Sequence, residues 1–460
     1  MSSFGTGILS GTKHLVVAAL VASGLGLLVF GPRAGDKLPK NCVIVDYWEK
    51  WTGDEETGMR QIVDDFNSTV GNEKHIYVRY LSTSAIEQKT LVSIAAGVPP
   101  DVAGLYNQNI PQFSALDSLE PLDDLAAEHG ITAKTYKKVF WDECHYDSHL
   151  YGLVSTAFDL ALYYNKEIFR RCAPELESRG LDPQHAPRTI AELDAYAKAL
   201  DRIDPSGQIV LAGYLPTEPG WFINYTCIWF GGSWWNGARQ KFTFTDPGVV
   251  RAYQWIQSYS RRLGPKAVAE FQSGFGTIDS PQNPFLAPTV AMVQQGTFFA
   301  HLINHLKPSM DGQWGAAPFP SYDPKLRDVT YCNCDVLVIP RGAKHKSEAF
   351  EFIAFVNRQD EMEKLANYHC KISPLAKVSE GFLAHHNNPY IRVFDNLAAS
   401  PNAHPTELVP ILPEVNDELI NFIQRLQLQQ VTPEEGLRQV QTRLQQKYDQ
   451  FMEDQRERRR

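Results

Sequence analysis

CVIVDYW, residues 42–48, is a β-branched run that predicts a strand, and it opens a repeating order of strand and helix. Thr52 and Glu55 form a capping box for a helix after this strand, and Ser84 with Glu87 predicts the start of a second helix. Further strands are predicted at residues 76–80 and 101–106. Strands that alternate with helices favour a parallel sheet, which places this part of the chain in the α/β class.

The rest of the chain continues with mixed elements and no internal repeat. Strands are predicted at residues 160–164 and 336–339, and Thr189 with Glu192 caps a helix that runs to residue 200. Further helices are predicted from residue 246, over residues 348–356 and 415–428, and from residue 432. Loops rich in Pro, Asn and Gly at residues 274–288, 321–327 and 387–405 are interpreted as crossings between two lobes.

Composition limits the class of protein. The 460 residues carry 44 Lys and Arg against 53 Asp and Glu, a net charge of −9. An acidic chain repels phosphate backbones, so no nucleic-acid partner is predicted, and residues 454–460 are interpreted as a short basic tail. Hydrophobic residues make up 43%, which is enough to bury a full core. The seven cysteines are odd in number and scattered, so they predict no disulfide framework and leave the redox compartment open.

The N-terminus carries an uncharged apolar run, LVVAALVASGLGLLVF, from Leu15 to Phe30. Its length fits either a cleaved signal peptide or a short membrane anchor, and a buried helix of a soluble protein is a third interpretation. The first two place residues from Val43 onward outside the cytoplasm, in the periplasm or cell envelope. Cys42 lacks the small apolar residues that precede a lipoprotein cysteine, so lipidation there is not expected.

Motifs for nucleotide binding and for serine nucleophiles are absent from the sequence. His301 and His305 are four residues apart, as zinc ligands on a helix can be, but their apolar neighbours favour ordinary packing. No metal, cofactor or catalytic residue is therefore predicted. Glu49 and Asp159 are the carboxylates that we place near one cleft, and such a pair suits either glycoside hydrolysis or hydrogen bonds to sugar hydroxyls.

Aromatic residues give the strongest compositional signal. Four of the nine tryptophans fall within residues 221–235: Trp221, Trp229, Trp234 and Trp235. Trp234 and Trp235 are adjacent, so in an extended segment their rings point to opposite faces, and we expect at least one ring to be exposed. Flat rings among amide and carboxylate side chains suit sugars, although part of the cluster is equally expected to pack a core.

The ends of the predicted parallel strands supply further candidates. Open α/β sheets bind ligands at the carboxyl ends of their strands. The first strand delivers Trp48, Glu49 and Trp51 to that edge, and the third delivers Tyr106 and Asn107. These five residues are predicted ligand contacts.

Several short segments, in order, resemble a known family. They are AAGVPPDV (95–102), LEPLDDL (119–125), LYYNK (162–166), TIAEL (189–193), FGG (230–232), FTDP (244–247), AMVQQGTF (291–298) and GAAPFP (315–320). In this order they resemble the extracellular solute-binding proteins of ATP-driven importers, family 1, the relatives of maltose-binding protein. The departures are the missing lipoprotein cysteine and a cysteine content that is high for an exported protein.

The resemblance implies a two-lobed, periplasmic-binding-protein-like α/β fold of type II, with a hinge and a central ligand cleft. The apolar run before it predicts an N-terminal hydrophobic helix, and residues 1–41 are assigned to a signal peptide or membrane anchor. It implies a first lobe of residues 42–157 and 330–385 and a second lobe of residues 158–329 and 386–453. Asp159 matches a hinge position that often reaches the ligand, and Phe298 falls where a stacking Trp is usual. Asn333, before the returning strand, is a further cleft candidate.

The prediction is therefore a non-enzymatic receptor that closes on a mono- or oligosaccharide and delivers it to the permease of an ABC importer. A monomer is expected. Other solutes carried by similar folds, namely polyamines, glycerol phosphates and peptides, stay open as ligands. A sensor partner and a glycoside-processing enzyme are the remaining alternatives.

Overall fold

The computed structural model describes residues 39–458, and its largest feature is a ten-stranded mixed sheet. The strands of the chain are β1 (Val43–Glu49), β2 (Ile76–Ser82), β3 (Val102–Tyr106), β4 (His145–Tyr146), β5 (His149–Leu150), β6 (Leu153–Asn165), β7 (Arg202–Ile203), β8 (Ile209–Tyr214), β9 (Trp235–Asn236), β10 (Lys241–Phe242), β11 (Val290–Gly296), β12 (Trp314–Ala317), β13 (Thr330–Val338) and β14 (Ala403–His404). The large sheet has the order β2-β1-β3-β13-β6-β11-β8-β7, with β12 beside β6 and β14 beside β13.

Helices surround this sheet. Before β11 they are α1 (Asp54–Ser68), α2 (Val70–Lys74), α3 (Ile86–Ala95), α4 (Ile110–Ala115), α5 (Asp123–Glu128), α6 (Lys138–Glu143), α7 (Lys166–Arg171), α8 (Ala173–Glu177), α9 (Ile190–Leu200), α10 (Pro247–Leu263) and α11 (Pro265–Ser273). After β11 they are α12 (Phe299–Leu306), α13 (Lys346–Val356), α14 (Gln359–Tyr368), α15 (Glu380–Ala384), α16 (Ile391–Ala398), α17 (Leu412–Gln427) and α18 (Pro433–Arg458). The segment interpreted as a basic tail thus continues the last helix as far as Arg458.

The first strands and helices form as predicted, but two helix starts differ. β1 pairs in parallel with β3, and α1 buries its apolar face against the sheet. The N-cap of α1 is Gly53, whose φ of 64° suits glycine, so Thr52 makes no capping bond. Ala85 likewise replaces Ser84 as the N-cap of α3. The cap at Thr189 is confirmed, because its Oγ1 accepts from the backbone N–H of Glu192 at 3.1 Å.

Two long antiparallel strands, β6 and β13, run through the middle of the sheet. β3 lies antiparallel to β13 on one side, and β11 lies antiparallel to β6 on the other. We call β2, β1 and β3 the first half-sheet and β11, β8 and β7 the second. The 13 residues of β6 reach about 43 Å at 3.3 Å per residue, long enough to serve both halves. The sheet is thus mixed rather than wholly parallel, and the two-lobed α/β architecture is confirmed.

Two large apolar cores pack against the sheet, and the first of them also takes Val293 of β11 and Phe299 and Ile303 of α12. One core joins β1 and β3 to α1, α13 and α14, and it also takes the inward face of α16. The other joins the aromatic segment 222–244 to α9, α10, α17 and α18. Both ends of the long strands are therefore anchored in packed apolar layers, which fixes the position of the residues between them.

The N-terminal run Leu15–Phe30 lies outside the described residues. Within residues 39–458, no helix is both long enough and apolar enough to cross a bilayer. All seven cysteines fall in this range and none of them is disulfide-bonded. Cys332 and Cys334 both lie buried on β13.

Candidate functional site

A cleft of about 550 Å³ opens where the two half-sheets meet at β6 and β13. One wall carries Trp51 and Tyr106, which follow β1 and end β3, and the other carries Trp221, Phe222 and Phe298. The floor is made by Phe158 of β6 with Tyr331, Asn333 and Asp335 of β13. Because side chains alternate along a strand, residues 331, 333 and 335 share one face and reach the cleft together.

Aromatic rings form most of the apolar surface of the cleft. Trp221 is 49% exposed and Tyr106 is 40% exposed, so the two walls each present an open ring. Tyr225 stacks on Tyr331 with ring centroids 3.8 Å apart, which holds the Tyr331 ring in the floor. Phe298 meets Phe158 edge to face at 5.2 Å.

A charge-balanced quartet of Glu49, Lys50, Asp335 and Lys371 lies at the floor, and its members Asp335 and Lys371 line the cleft. The Nζ atoms of Lys50 and Lys371 lie 3.1 and 3.2 Å from the two oxygens of Asp335. Lys50 also lies 3.3 Å from Glu49, and its Nζ is 4.6 Å from the ring centroid of Tyr106. Burial alone would raise the pKa of Asp335, but Lys50 and Lys371 reverse this and hold the pKa well below its usual range.

Asn333 links the floor to a second polar group. Its Nδ2, with two hydrogens to donate, lies 3.1 Å from Asn107 Oδ1, 3.0 Å from the Tyr331 hydroxyl and 2.8 Å from Thr406 Oγ1. The Thr406 N–H in turn donates to Glu143 Oε1 at 2.6 Å. Asn333 also lines the cleft, where its Oδ1 can act only as an acceptor.

Comparison with known proteins assigns the family. The family model for bacterial extracellular solute-binding proteins matches residues 51–363. The chain belongs to this family. A protein of Brucella abortus (strain 2308), named only as a candidate binding protein, is 22% identical over 354 residues, which is 76% of this chain and 80% of that one.

Solved structures with the same fold support the two-lobed architecture. The sugar-binding protein MalE from Xanthomonas citri superposes with a TM-score of 0.72 at 18% identity and covers 90% of this chain and 98% of its own. CpMnBP1 with mannotriose bound gives a TM-score of 0.71 at 24% identity and covers 87% of this chain and 99% of that one. A solute-binding protein of Thermotoga lettingae bound to α-D-tagatose gives 0.68 at 20% identity, with 88% and 99% covered.

The structure brings five of the predicted contacts of this solute-binding protein to the cleft surface: Trp51, Tyr106, Trp221, Phe298 and Asn333. Two others lie one layer away. Asn107 is buried and accepts from Asn333, and Trp48 is half-buried against the first core. Their roles as ligand contacts stay predictions.

The two predicted carboxylates are buried instead of facing the cleft. Glu49 is 0% exposed and accepts from the Tyr47 hydroxyl and the Lys50 N–H; Gly104 of β3 leaves the room that its carboxylate occupies. Asp159 is also 0% exposed and accepts from Thr297 Oγ1 at 2.9 Å. Burial raises the pKa of Asp159 well above its usual range. Phe158, its neighbour on β6, points to the cleft in its place.

Three of the four clustered tryptophans belong to the second core. Trp229 donates from Nε1 to the carbonyl oxygen of Val329 at 2.9 Å. Trp234 stacks on Phe244 with 5° between the ring planes, and Trp235 packs on Tyr448. The expectation that Trp234 or Trp235 exposes a ring is wrong, because α18 covers the outer face of the short β9–β10 hairpin.

Sequence reasoning missed Phe158, Tyr225, Tyr331, Asp335 and Lys371. The period-2 alternation around Asn333 was an available signal for Tyr331 and Asp335, since residues two apart on a strand share a face. Lys371 follows α14 in a loop, and no local pattern marks it.

Glu143, which supports the floor through Thr406, gives a pH-dependent stability. Burial raises its pKa to about 8. The folded state therefore keeps a proton that the unfolded state loses above its ordinary pKa near 4.5, and stability falls between about pH 4.5 and 8 at up to roughly 1.4 kcal/mol per pH unit. We expect Glu143→Gln, which retains Oε1 for the Thr406 N–H, to reduce this fall. Urea unfolding of both proteins at pH 5 and pH 8 measures it, and equal pH dependence would contradict a buried neutral carboxyl.

Proposed function

We propose that this solute-binding protein is the carbohydrate receptor of an ABC importer. The observation that carries the proposal is a cleft with open aromatic rings on both walls above a floor whose charges cancel. Aromatic faces take the C–H faces of a sugar, while amide oxygens such as those of Asn224 and Asn333 accept from its hydroxyls. A balanced floor offers no net charge to a polyamine or to a phosphate.

The solved relatives agree with this ligand class. They hold mannotriose, mannobiose and α-D-tagatose, and another is a sugar-binding MalE. A cleft of about 550 Å³ lies within the usual range for small-molecule sites. The ligand contacts we propose are Trp51, Tyr106, Trp221, Phe298 and Asn333, joined by Tyr331 of the floor.

Binding acts through closure of the two lobes. A ligand that touches Tyr106 on one wall and Trp221 on the other contacts both lobes at once, so it binds the closed arrangement more tightly and shifts the population towards it. A permease recognises that closed form. No turnover is part of this function, because Glu49 and Asp159 are both buried below the cleft surface.

We further infer that the protein is exported and works as a monomer in the periplasm or cell envelope. The family is extracellular, and Leu15–Phe30 supplies either a signal peptide or an anchor beside the permease.

Titration with a ligand panel tests the function. Calorimetry with mannobiose, mannotriose, maltose and tagatose, and with spermidine, glycerol 3-phosphate and a dipeptide as contrasts, is expected to give a Kd of about 1 μM for one sugar and none for the contrasts. Chromatography of the bound sugar is expected to recover it unchanged. Binding of a contrast ligand alone would overturn the carbohydrate class, and a chemically altered sugar would overturn the receptor assignment.

A further inference from the structure

Two histidines and one aspartate from distant parts of the chain meet beside the cleft. His301 and His305 are on α12, and Asp54 is in the first turn of α1. Asp54 Oδ2 lies 2.7 Å from His301 Nε2 and 3.7 Å from His305 Nε2. The three possible ligand atoms, one from each side chain, all lie within 4.8 Å of one another. The sequence shows only the two histidines, and folding adds the third group.

The hydrogen bond on the far side of His305 fixes its tautomer. His305 Nδ1 lies 2.8 Å from the carbonyl oxygen of His301, which can only accept, so Nδ1 carries the proton. In the neutral ring, Nε2 then holds a lone pair directed towards the Asp54 carboxylate. This lone pair and the Asp54 carboxylate can both bind one cation. A ring N–H bound to a backbone carbonyl is also the usual second contact of a metal-ligating histidine.

The two distances to Asp54 Oδ2 are close to those of a tetrahedral metal site. Ligands 2.0–2.1 Å from Zn²⁺ in such a site are about 3.3 Å apart, so the two distances to Asp54 Oδ2 need to change by only about 0.4–0.6 Å. His305 and Asp54 are 57% and 51% exposed, which lets them move by this amount and leaves the fourth position to water. Imidazole nitrogens favour Zn²⁺ and similar transition metals over Mg²⁺ or Ca²⁺.

We propose that Asp54, His301 and His305 form a binding site for a transition-metal dication of the Zn²⁺ type. The site joins α1 to α12. α1 follows β1 of the first half-sheet and α12 follows β11 of the second, and these strands lie on opposite sides of β13 and β6. The site also adjoins the cleft, because Glu55 and Phe298 line it. A bound metal stabilises the arrangement in which α1 and α12 touch.

Zinc titration of the full chain, stripped with EDTA and kept in mild detergent, tests the site. Competition with a chromophoric chelator is expected to show one Zn²⁺ per chain, and His305→Gln and Asp54→Asn are each expected to weaken binding at least tenfold. Asp54→Asn keeps the acceptor for the Tyr368 hydroxyl, which donates to Asp54 Oδ1 at 3.0 Å, so it preserves the local fold.

His185→Gln is the matched control. His185 pairs with Asp182 at 2.6 Å on the exposed surface, but it has no second histidine one helical turn away. We expect it to bind Zn²⁺ as the parent does. Equal affinity in His305→Gln, or no saturable binding in the parent, would overturn the site. The zinc titration is carried out without sugar, so its result is independent of the test of the proposed function.

Discussion

Asp335→Asn is expected to destabilise the protein by about 3 kcal/mol or more. The change removes one charge from the buried quartet and leaves Lys371 with no carboxylate at its ammonium group, and a buried charge that loses its partner typically costs 3–5 kcal/mol. The side chains of Lys371 and Asp335 are only 6% and 7% exposed, so water cannot replace the missing partner. Asparagine keeps the shape and the acceptor for Thr156 Oγ1, 2.7 Å away. Urea unfolding at pH 7 measures the loss.

Acid conditions check that charge is the cause. The pKa of Asp335 is lowered in the folded state, so its contribution is complete above the unfolded pKa near 3.8 and is lost as the pH falls through the folded value. The variant should therefore lose less stability than the parent below about pH 4. Asp360→Asn, an exposed carboxylate beside Arg358, serves as the control and is expected to change stability by no more than about 0.5 kcal/mol. A similar small loss in Asp335→Asn would contradict a desolvated quartet.

The fold was predictable wherever a pattern is local. Residues 42–106 show strand and helix periodicity, and the structure forms both elements there. The predictions of N-caps at Thr52 and Ser84 were wrong. The next residues, Gly53 and Ala85, adopt positive φ, so each helix begins one residue later than predicted. The mixed order of the sheet was not predictable in this way, since the antiparallel placement of β6 and β13 depends on pairings over 170 residues apart.

The sequence predicted residues that line the edges of the cleft, but it did not predict most of the residues that form its floor. Strand ends pointed to Trp51 and Tyr106, because chain direction fixes the edge at which parallel strands finish. Asp159 and Phe158 illustrate the limit. They are adjacent on β6, and a shift of one residue exchanges the face that reaches the cleft for the face that is buried.

The prediction that Trp234 or Trp235 exposes a ring was wrong for a different physical reason. The sequence of this segment shows the residue types and their spacing. The Trp235 ring is buried because it packs on Tyr448 of α18, which comes more than 200 residues later in the chain. Exposure is a property of the neighbours in space, so adjacent tryptophans with the same composition around them can serve a core or a ligand. Trp221, which is 49% exposed, and Trp234, which is 2% exposed, differ in this way within one segment.

Trp221→Ala is expected to weaken sugar binding by about 10- to 100-fold, or roughly 1.4–2.8 kcal/mol, with little loss of stability. Trp221 is 49% exposed on the cleft wall, and its ring is held edge to face by Phe222 at 5.9 Å. Truncation removes a stacking surface for the ligand while the core behind it keeps its packing. Calorimetry with the sugar that the panel selects, together with urea unfolding, separates the two effects.

Trp234→Ala is the matched contrast, because it removes the same side chain from the same segment. Trp234 is 2% exposed and stacks on Phe242 and Phe244, so its loss leaves a large cavity and costs about 3–5 kcal/mol of stability. The folded fraction of this variant is expected to bind sugar with unchanged affinity, since the ring does not line the cleft. Reversal of the pattern, with affinity lost at Trp234 and kept at Trp221, would place the ligand on the other side of the aromatic segment and contradict the cleft between the two half-sheets as the binding site.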